Sequence, residues 1–140
     1  MKKLNLILVY NQDEDKILMC QRAKEPFKGK FNLVGGKVEQ NEEELHAAYR
    51  ELQEETGITN QDISLSHLMN FQYPFNDMEL EVFYGKLNKE VTLVEEVNHL
   101  QWMDKKENFF DYNKFAGEGN IGHMVRQVEE FKKVGGNENE

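Results

Sequence analysis

The chain has 140 residues, 39% of them hydrophobic and 31% charged, and its 26 acidic against 17 basic side chains give a net charge of −9 and a pI near 5.0. This length supports one domain with a sizeable core. The acidic balance argues against a nucleic-acid polymer as partner, since backbone binding needs net positive patches. The single cysteine, Cys20, permits no internal disulfide and fits a cytoplasmic location; in its apolar stretch it reads as a buried structural thiol. No segment approaches a membrane-spanning length, so no membrane partner is expected.

In chain order, residues 4–10 and 16–22 are strand-like runs joined by the polar turn 11–15, which predicts a hairpin. The first run follows two lysines, but it contains Asn5, is short and lacks a small-residue cleavage site, so it reads as a strand and not a signal peptide. Residues 23–30, with Pro26 and Gly29, form a loop. Residues 31–34 are a short strand running into Gly35 and Gly36. Asn41 is a good N-cap with Glu44 three residues on, and no Gly or Pro interrupts the chain from there to Thr56. Gly57 is placed to end that helix in the left-handed conformation. Leu45, Ala48 and Leu52 give it an apolar stripe. Residues 63–72 and 78–87 are two more strands around a turn at 74–77, and 100–104 is a further short one. Asn120 caps a last helix whose Ile121, Met124, Val125, Val128 and Phe131 follow helical spacing. Residues 1–134 form the domain, and 135–140 read as a frayed, solvated tail. Strands alternating with two helices predict an α/β/α sandwich with a mixed sheet.

Within the first helix, Glu51, Glu54 and Glu55 lie at i, i+3 and i+4, so three carboxylates share one face. Their mutual repulsion weakens a bare helix. A hard divalent cation turns that liability into a site, and Mg²⁺ is the usual one where phosphates add further oxygens, with Mn²⁺ as the alternative. Glu42, Glu43 and Glu44 read equally well as a solvated acidic face. Upstream, Arg22, Lys24, Lys28, Lys30 and Lys37 stand against only Glu25, whereas residues 38–55 hold seven glutamates against Arg50. A basic loop followed by an acidic helix suits a ligand whose phosphates need both cationic side chains and bridging metal. The four histidines have no metal-binding spacing, and no nucleophile elbow appears.

Gly36, Glu42, Arg50-Glu51-Leu52, Glu54-Glu55 and Gly57-Ile58 together fill every defining position of one spaced pattern. It resembles the box of the Nudix hydrolases, enzymes that cut a diphosphate linkage attached to a nucleoside or similar group. The resemblance implies the Nudix-type sandwich, with the box as a loop–helix–loop beside the sheet. It implies metal ligation by Glu51, Glu54, Glu55 and the Gly35 carbonyl, and an Arg50 that orients a glutamate. A proton acceptor would be a box glutamate such as Glu54 or one from a mobile loop, where Glu95 and Glu96 precede Trp102; Glu54, Arg50 and Glu96 form the expected catalytic set. The run GKFNLVGGKV resembles that of MutT-like members that clear oxidised purine nucleotides, where an Asn reads the base. Asn32, with Arg22 and Lys37, is therefore expected to bind substrate. Trp102 and Phe27 have the chemistry to stack on a base, with core packing the plainer reading.

The function implied is hydrolysis of a nucleoside triphosphate, of the 8-oxo-dGTP kind, to the monophosphate and pyrophosphate, by a monomer or homodimer. The alternative is cleavage of a nucleoside diphosphate sugar such as ADP-ribose: Pro74 stands 16 residues after Ile58, near where such relatives carry a proline, although the rest of their local pattern is missing. A non-catalytic, nucleotide-sensing Nudix module is the third reading. Two departures from the family bear on loop rigidity: Val34 stands where Pro is usual before the paired glycines, and Asn41 where Gly often precedes the first box glutamate.

Overall fold

Alternation along the first strand decides the layering. On β1 (Lys2–Tyr10), Ile7 and Val9 point to one face of the sheet and Leu8 and Tyr10 to the other, and all four are fully buried. A strand apolar on both faces must be covered on both. The computed structural model, which describes residues 2–73, 77–96, 98–117 and 119–138, meets that demand with one helix on each side. The expected turn at 74–77 lies outside these residues except for Asp77, and Pro74 is outside them altogether.

The other elements are β2 (Lys16–Gln21), β3 (Phe31–Leu33), α1 (Glu44–Thr56), β4 (Ser66–Tyr73), β5 (Met78–Lys86), β6 (His99–Asp104) and α2 (Asn120–Glu138). The sheet runs β3-β2-β1-β5-β4, with β6 paired to β2. It is mixed: β1 lies parallel to β5 and the other strand pairings are antiparallel. Ile7, Val9, Leu18, Cys20 and Phe83 pack with Ala48 and Leu52 of α1. Leu8, Tyr10, Ile17, Met19 and Val82 pack with Ile121, Met124, Val125 and Val128 of α2. This is the expected α/β/α sandwich.

Three local expectations change. The first hairpin is shallow, with β1 and β2 in register only at Tyr10↔Ile17. Beyond that pair, the edge of β1 is taken by the segment carrying the glycines, through Ile7↔Val34 and Leu4↔Lys37. Second, Asn41 does not cap α1. The helix begins at Glu44 with Glu43 at the N-cap and no side-chain cap bond, while Asn41 takes φ 67. Asn is among the few residues that tolerate this left-handed region, which accounts for its standing at a position where glycine is common. Third, Leu45 is 36% exposed and Ala47 fully buried, so the apolar stripe is Ala47, Ala48 and Leu52. The helix ends as expected, with Gly57 at φ 81 donating its N–H to the Gln53 carbonyl. At the other end of the chain, helical backbone continues through residues 135–138, past the start of the expected tail, and Phe131 is exposed.

Candidate active site

The glycine pair is pressed between β1 and α1. Gly35 has φ 151, and a Cβ there would lie 2.1 Å from the Asn5 carbonyl oxygen. A Cβ on Gly36 would lie 2.3 Å from the Glu51 carboxyl group. Neither position has space for a side chain, so the chain approaches the acidic helix as bare backbone. The Gly36 N–H donates to Asn5 Oδ1 at 2.8 Å, and the Asn5 N–H donates to the Gly36 carbonyl at 2.7 Å. Sequence reasoning does not single out Asn5; its one signal there is an amide within an apolar run.

Arg50 is the hub on the helix side. Its Nε and Nη2 grip the two Glu42 oxygens at 2.7 and 2.9 Å. Nη1 reaches Glu51 at 3.0 Å and Glu54 at 3.2 Å, and Nη2 also donates to the Lys37 carbonyl at 2.9 Å. This forked geometry is available to guanidinium and not to ammonium. The Arg50 bonds, followed by the Glu39 amide, hold the Glu42 carboxyl down at about 2. Glu42 is therefore an anchor and not part of a free acidic face. Glu44 pairs with Lys3 at 3.0 Å, and Glu43 is exposed.

The three box glutamates differ in surroundings. Glu51 is nearly covered and rests on Gly36, whereas Glu54 is 59% exposed and tied only to Arg50 among the described residues. Burial pushes the Glu55 carboxyl up to about 7, with Glu51 and Glu54 adding repulsion and the Gly35 amide and Arg22 opposing it. The donors are all oxygen, and Glu51 and Glu54 crowd like charge onto Glu55, where burial already disfavours it, so the set fits a hard divalent cation. Among the described residues no three carboxylates converge for one ion. Arg50 Nη1 bridges Glu51 and Glu54, and the exposed Glu54 is the group with room to turn.

The remaining expected residues separate. Glu96 lines a groove of about 820 Å³ together with Arg50, Glu54, Tyr49, Gln53 and Asn60. Its neighbour Glu95 is committed elsewhere: it accepts the Leu100 N–H at 2.6 Å and pairs with His99 at 2.9 Å, fastening the start of β6. Arg22 braces the 23–30 loop, donating from Nε to the Pro26 carbonyl at 2.6 Å, and its charge reaches Glu55. Asn32 pairs in register with Cys20, which places it on the α1 side of the sheet. Its Oδ1 accepts the Leu33 N–H at 2.8 Å. Lys37 contributes its carbonyl to Arg50, and its exposed side chain makes no ion pair among the described residues. Trp102 packs on the α1-side core, while Phe27 is exposed with Lys30 Nζ over its ring. Cys20 is buried, and burial followed by Glu55 pushes its thiol up to about 12, so it is no nucleophile.

A mixed sheet between two helices, with paired glycines delivered onto a glutamate-rich helix, defines a class, and the family model for the NUDIX domain matches residues 3–127. The chain belongs to the NUDIX domain family. It is 36% identical over 76 residues to an 8-oxo-dGTP diphosphatase of Escherichia coli, covering 53% of this chain and 59% of that protein. It is 47% identical over 47 residues to an ADP-ribose pyrophosphatase of Methanocaldococcus jannaschii, covering 34% of this chain and 28% of that one. The matches thus span under two thirds of either relative's length. In fold it resembles a crystal structure of a C. elegans Ap4A hydrolase binary complex, with a TM-score of 0.76 at 19% identity over 96% of this chain and 99% of the other. No described helix is long and apolar enough to cross a membrane.

Proposed function

We propose that the protein is a metal-dependent pyrophosphohydrolase that cuts a nucleoside triphosphate, of the oxidised-purine kind, into the monophosphate and pyrophosphate. The observation that carries this reading is the meeting of side-chain-free backbone at Gly35–Gly36 with the Glu51, Glu54 and Glu55 carboxylates. Such a surface repels phosphate by itself and becomes a phosphate site once a cation is added. Glu51, Glu54, Glu55 and the Gly35 carbonyl would hold that cation, with Mg²⁺ the first choice. When bound, it would screen the diphosphate and acidify a coordinated water.

The chain's own groups supply the rest. Water attacks one phosphorus of the α–β linkage, the bridging P–O bond breaks to part the nucleoside monophosphate from pyrophosphate, and the attacking water's proton passes to a carboxylate. Glu54 and Glu96 share a groove wall and are the two acceptors within the site; Arg50 sets the position of Glu54. Arg22 and Lys37 offer positive charge beside the phosphates.

Asn32 supports a purine, since it lies on the face of the sheet shared with Cys20 and carries an amide able to donate and accept along a base edge. The longer of the two sequence matches is to the 8-oxo-dGTP diphosphatase. The ADP-ribose reading rests on the shorter match and is the second choice. A panel of nucleoside triphosphates, their oxidised forms and ADP-ribose, incubated with Mg²⁺ and resolved by chromatography, tests both. Preferential release of monophosphate from oxidised dGTP is expected. Faster cleavage of ADP-ribose would reverse the order, and no metal-dependent turnover of any of them would favour a sensing module.

A further inference from the structure

Asn5 stands out on β1 because it is 1% exposed among apolar neighbours, and its Nδ2 is buried without a partner among the described residues. Its register partner on β5 is Glu81, also 1% exposed. A half-satisfied amide in such a place opposes folding, and in a native structure it calls for a reason. Packing alone is no reason, since Ile7 and Val9 fill the next positions on the same face.

The reason lies in what the other half of the amide does. Asn5 engages both backbone polar groups of Gly36: its Oδ1 accepts the Gly36 N–H at 2.8 Å, and its own N–H donates to the Gly36 carbonyl at 2.7 Å. A trans peptide unit is planar, with its N–H and C=O pointing opposite ways. Fixing the Gly36 N–H onto Asn5 therefore fixes the Gly35 carbonyl, the other end of the same unit, to point away from Asn5. Backbone bonds pin the peptide units on either side, from the Ile7 N–H to the Val34 carbonyl at 2.8 Å and from the Asn5 N–H to the Gly36 carbonyl at 2.7 Å. The unit between them, flanked by glycines without side chains, takes its bond from the Asn5 side chain.

We infer that Asn5 is a positioning residue whose carboxamide oxygen sets the Gly35–Gly36 peptide plane and thereby aims the Gly35 carbonyl at the metal and phosphate side of the turn. This rests on the reading of Gly35 given under the proposed function. The orphaned Nδ2 is the cost of placing an acceptor at that point.

The test compares Asn5→Leu, which keeps the shape and loses the acceptor, with Asn5→Asp, which keeps an acceptor oxygen. Asn5→Ala stands in for the leucine variant if that one does not fold. Val9→Ala, a cavity on the same strand face away from the glycines, controls for lost stability. Amide exchange at Gly36 by NMR and Mn²⁺ affinity by electron paramagnetic resonance need no substrate. In Asn5→Leu, Gly36 exchange should quicken about tenfold, the equivalent of one hydrogen bond. Mn²⁺ should bind more weakly, and kcat should drop about tenfold with KM little changed, the pattern of a transition-state loss. Asn5→Asp should keep Gly36 protected, and Val9→Ala should lower the unfolding midpoint without these effects. Unchanged Gly36 exchange and Mn²⁺ affinity in whichever of Asn5→Leu and Asn5→Ala folds would overturn the inference, as would equal changes in Val9→Ala. A wild type that turns over no nucleotide would remove the pyrophosphohydrolase reading, while the exchange and Mn²⁺ measurements would still decide this one.

Discussion

Glu54 and Glu55 belong to one helix face but sit in different media, which separates the effects of replacing them. Glu54→Gln keeps the shape and removes a charge exposed to solvent; turnover should fall by two orders of magnitude or more, on the order of ~10²–10⁴ for a lost acid–base group, with the unfolding midpoint nearly unchanged. Glu55→Gln should also abolish most turnover, yet stabilise the protein when EDTA is present. The folded carboxyl is raised to about 7 from an unfolded value near 4.3, so its unfavourable contribution is absent below 4.3, grows as pH rises from there towards 7, and is complete and constant above 7. At pH 8 the variant should gain on the order of 1–3 kcal/mol over metal-free wild type, read by chemical denaturation. A fully active variant of either kind removes the metal-ligand assignment. Glu95 and Glu96 give a second contrast. Glu96→Gln should lower kcat far more than it raises KM, whereas Glu95→Gln, which weakens the bonds to Leu100 and His99, should lower the unfolding midpoint slightly with kcat kept. If only the Glu95 change lowers kcat, the acceptor role leaves the groove wall.

At the scale of elements, α1 was legible from its charged pattern and from Gly57, because a helix end and an i, i+3, i+4 face are local properties. Its start was not, since Asn41 is as good in a left-handed turn as at a cap. Of two adjacent loop glutamates, Glu96 was the one expected in the catalytic set, but a physical difference between them comes only from the fold, which fastens Glu95 to the start of β6. The part Asn5 plays was hidden for the same reason: its amide in an apolar run was visible, but its partner lies 31 residues away. The glycine segment, meanwhile, is squeezed by unlike neighbours. Gly35→Ala would meet backbone oxygen, which cannot yield, while Gly36→Ala would meet the end of the Glu51 side chain, which can. Both overpack the turn, at about 1–3 kcal/mol each, and Gly35→Ala should be the more damaging to stability. Gly36→Ala should lose activity out of proportion to stability because it displaces Glu51. Equal unfolding midpoints for the two variants would contradict this packing account.

For the molecule as a whole, the layers were readable from alternation and helical periodicity, but the order of strands was not. Nothing local in residues 4–10 announces a parallel partner on β5, and the adjacent run 16–22 was the natural mate. The acidic excess has a whole-molecule consequence through Arg50. Glu42, its carboxyl depressed to about 2, contributes stability that is complete above its unfolded value near 4.3 and is lost as pH falls towards 2. Thermal unfolding followed from pH 7 to pH 2 should show that loss in wild type, and Glu42→Gln should begin lower and lose less; parallel curves would mean that the Arg50 grip adds nothing. The parallel pairing has a further consequence, in time rather than in space. Every pair in the β1–β5 register, Lys2↔Met78 through Tyr10↔Lys86, joins residues 76 apart in sequence. The entropy of closing so long a loop must be met before the contact returns anything, which slows folding. On a ribosome the acidic helix would emerge well before β5 does. The strand that anchors the glycine turn would wait unpaired along that edge, so the glycine turn and its acidic helix should be among the last parts of a newborn chain to reach their final arrangement.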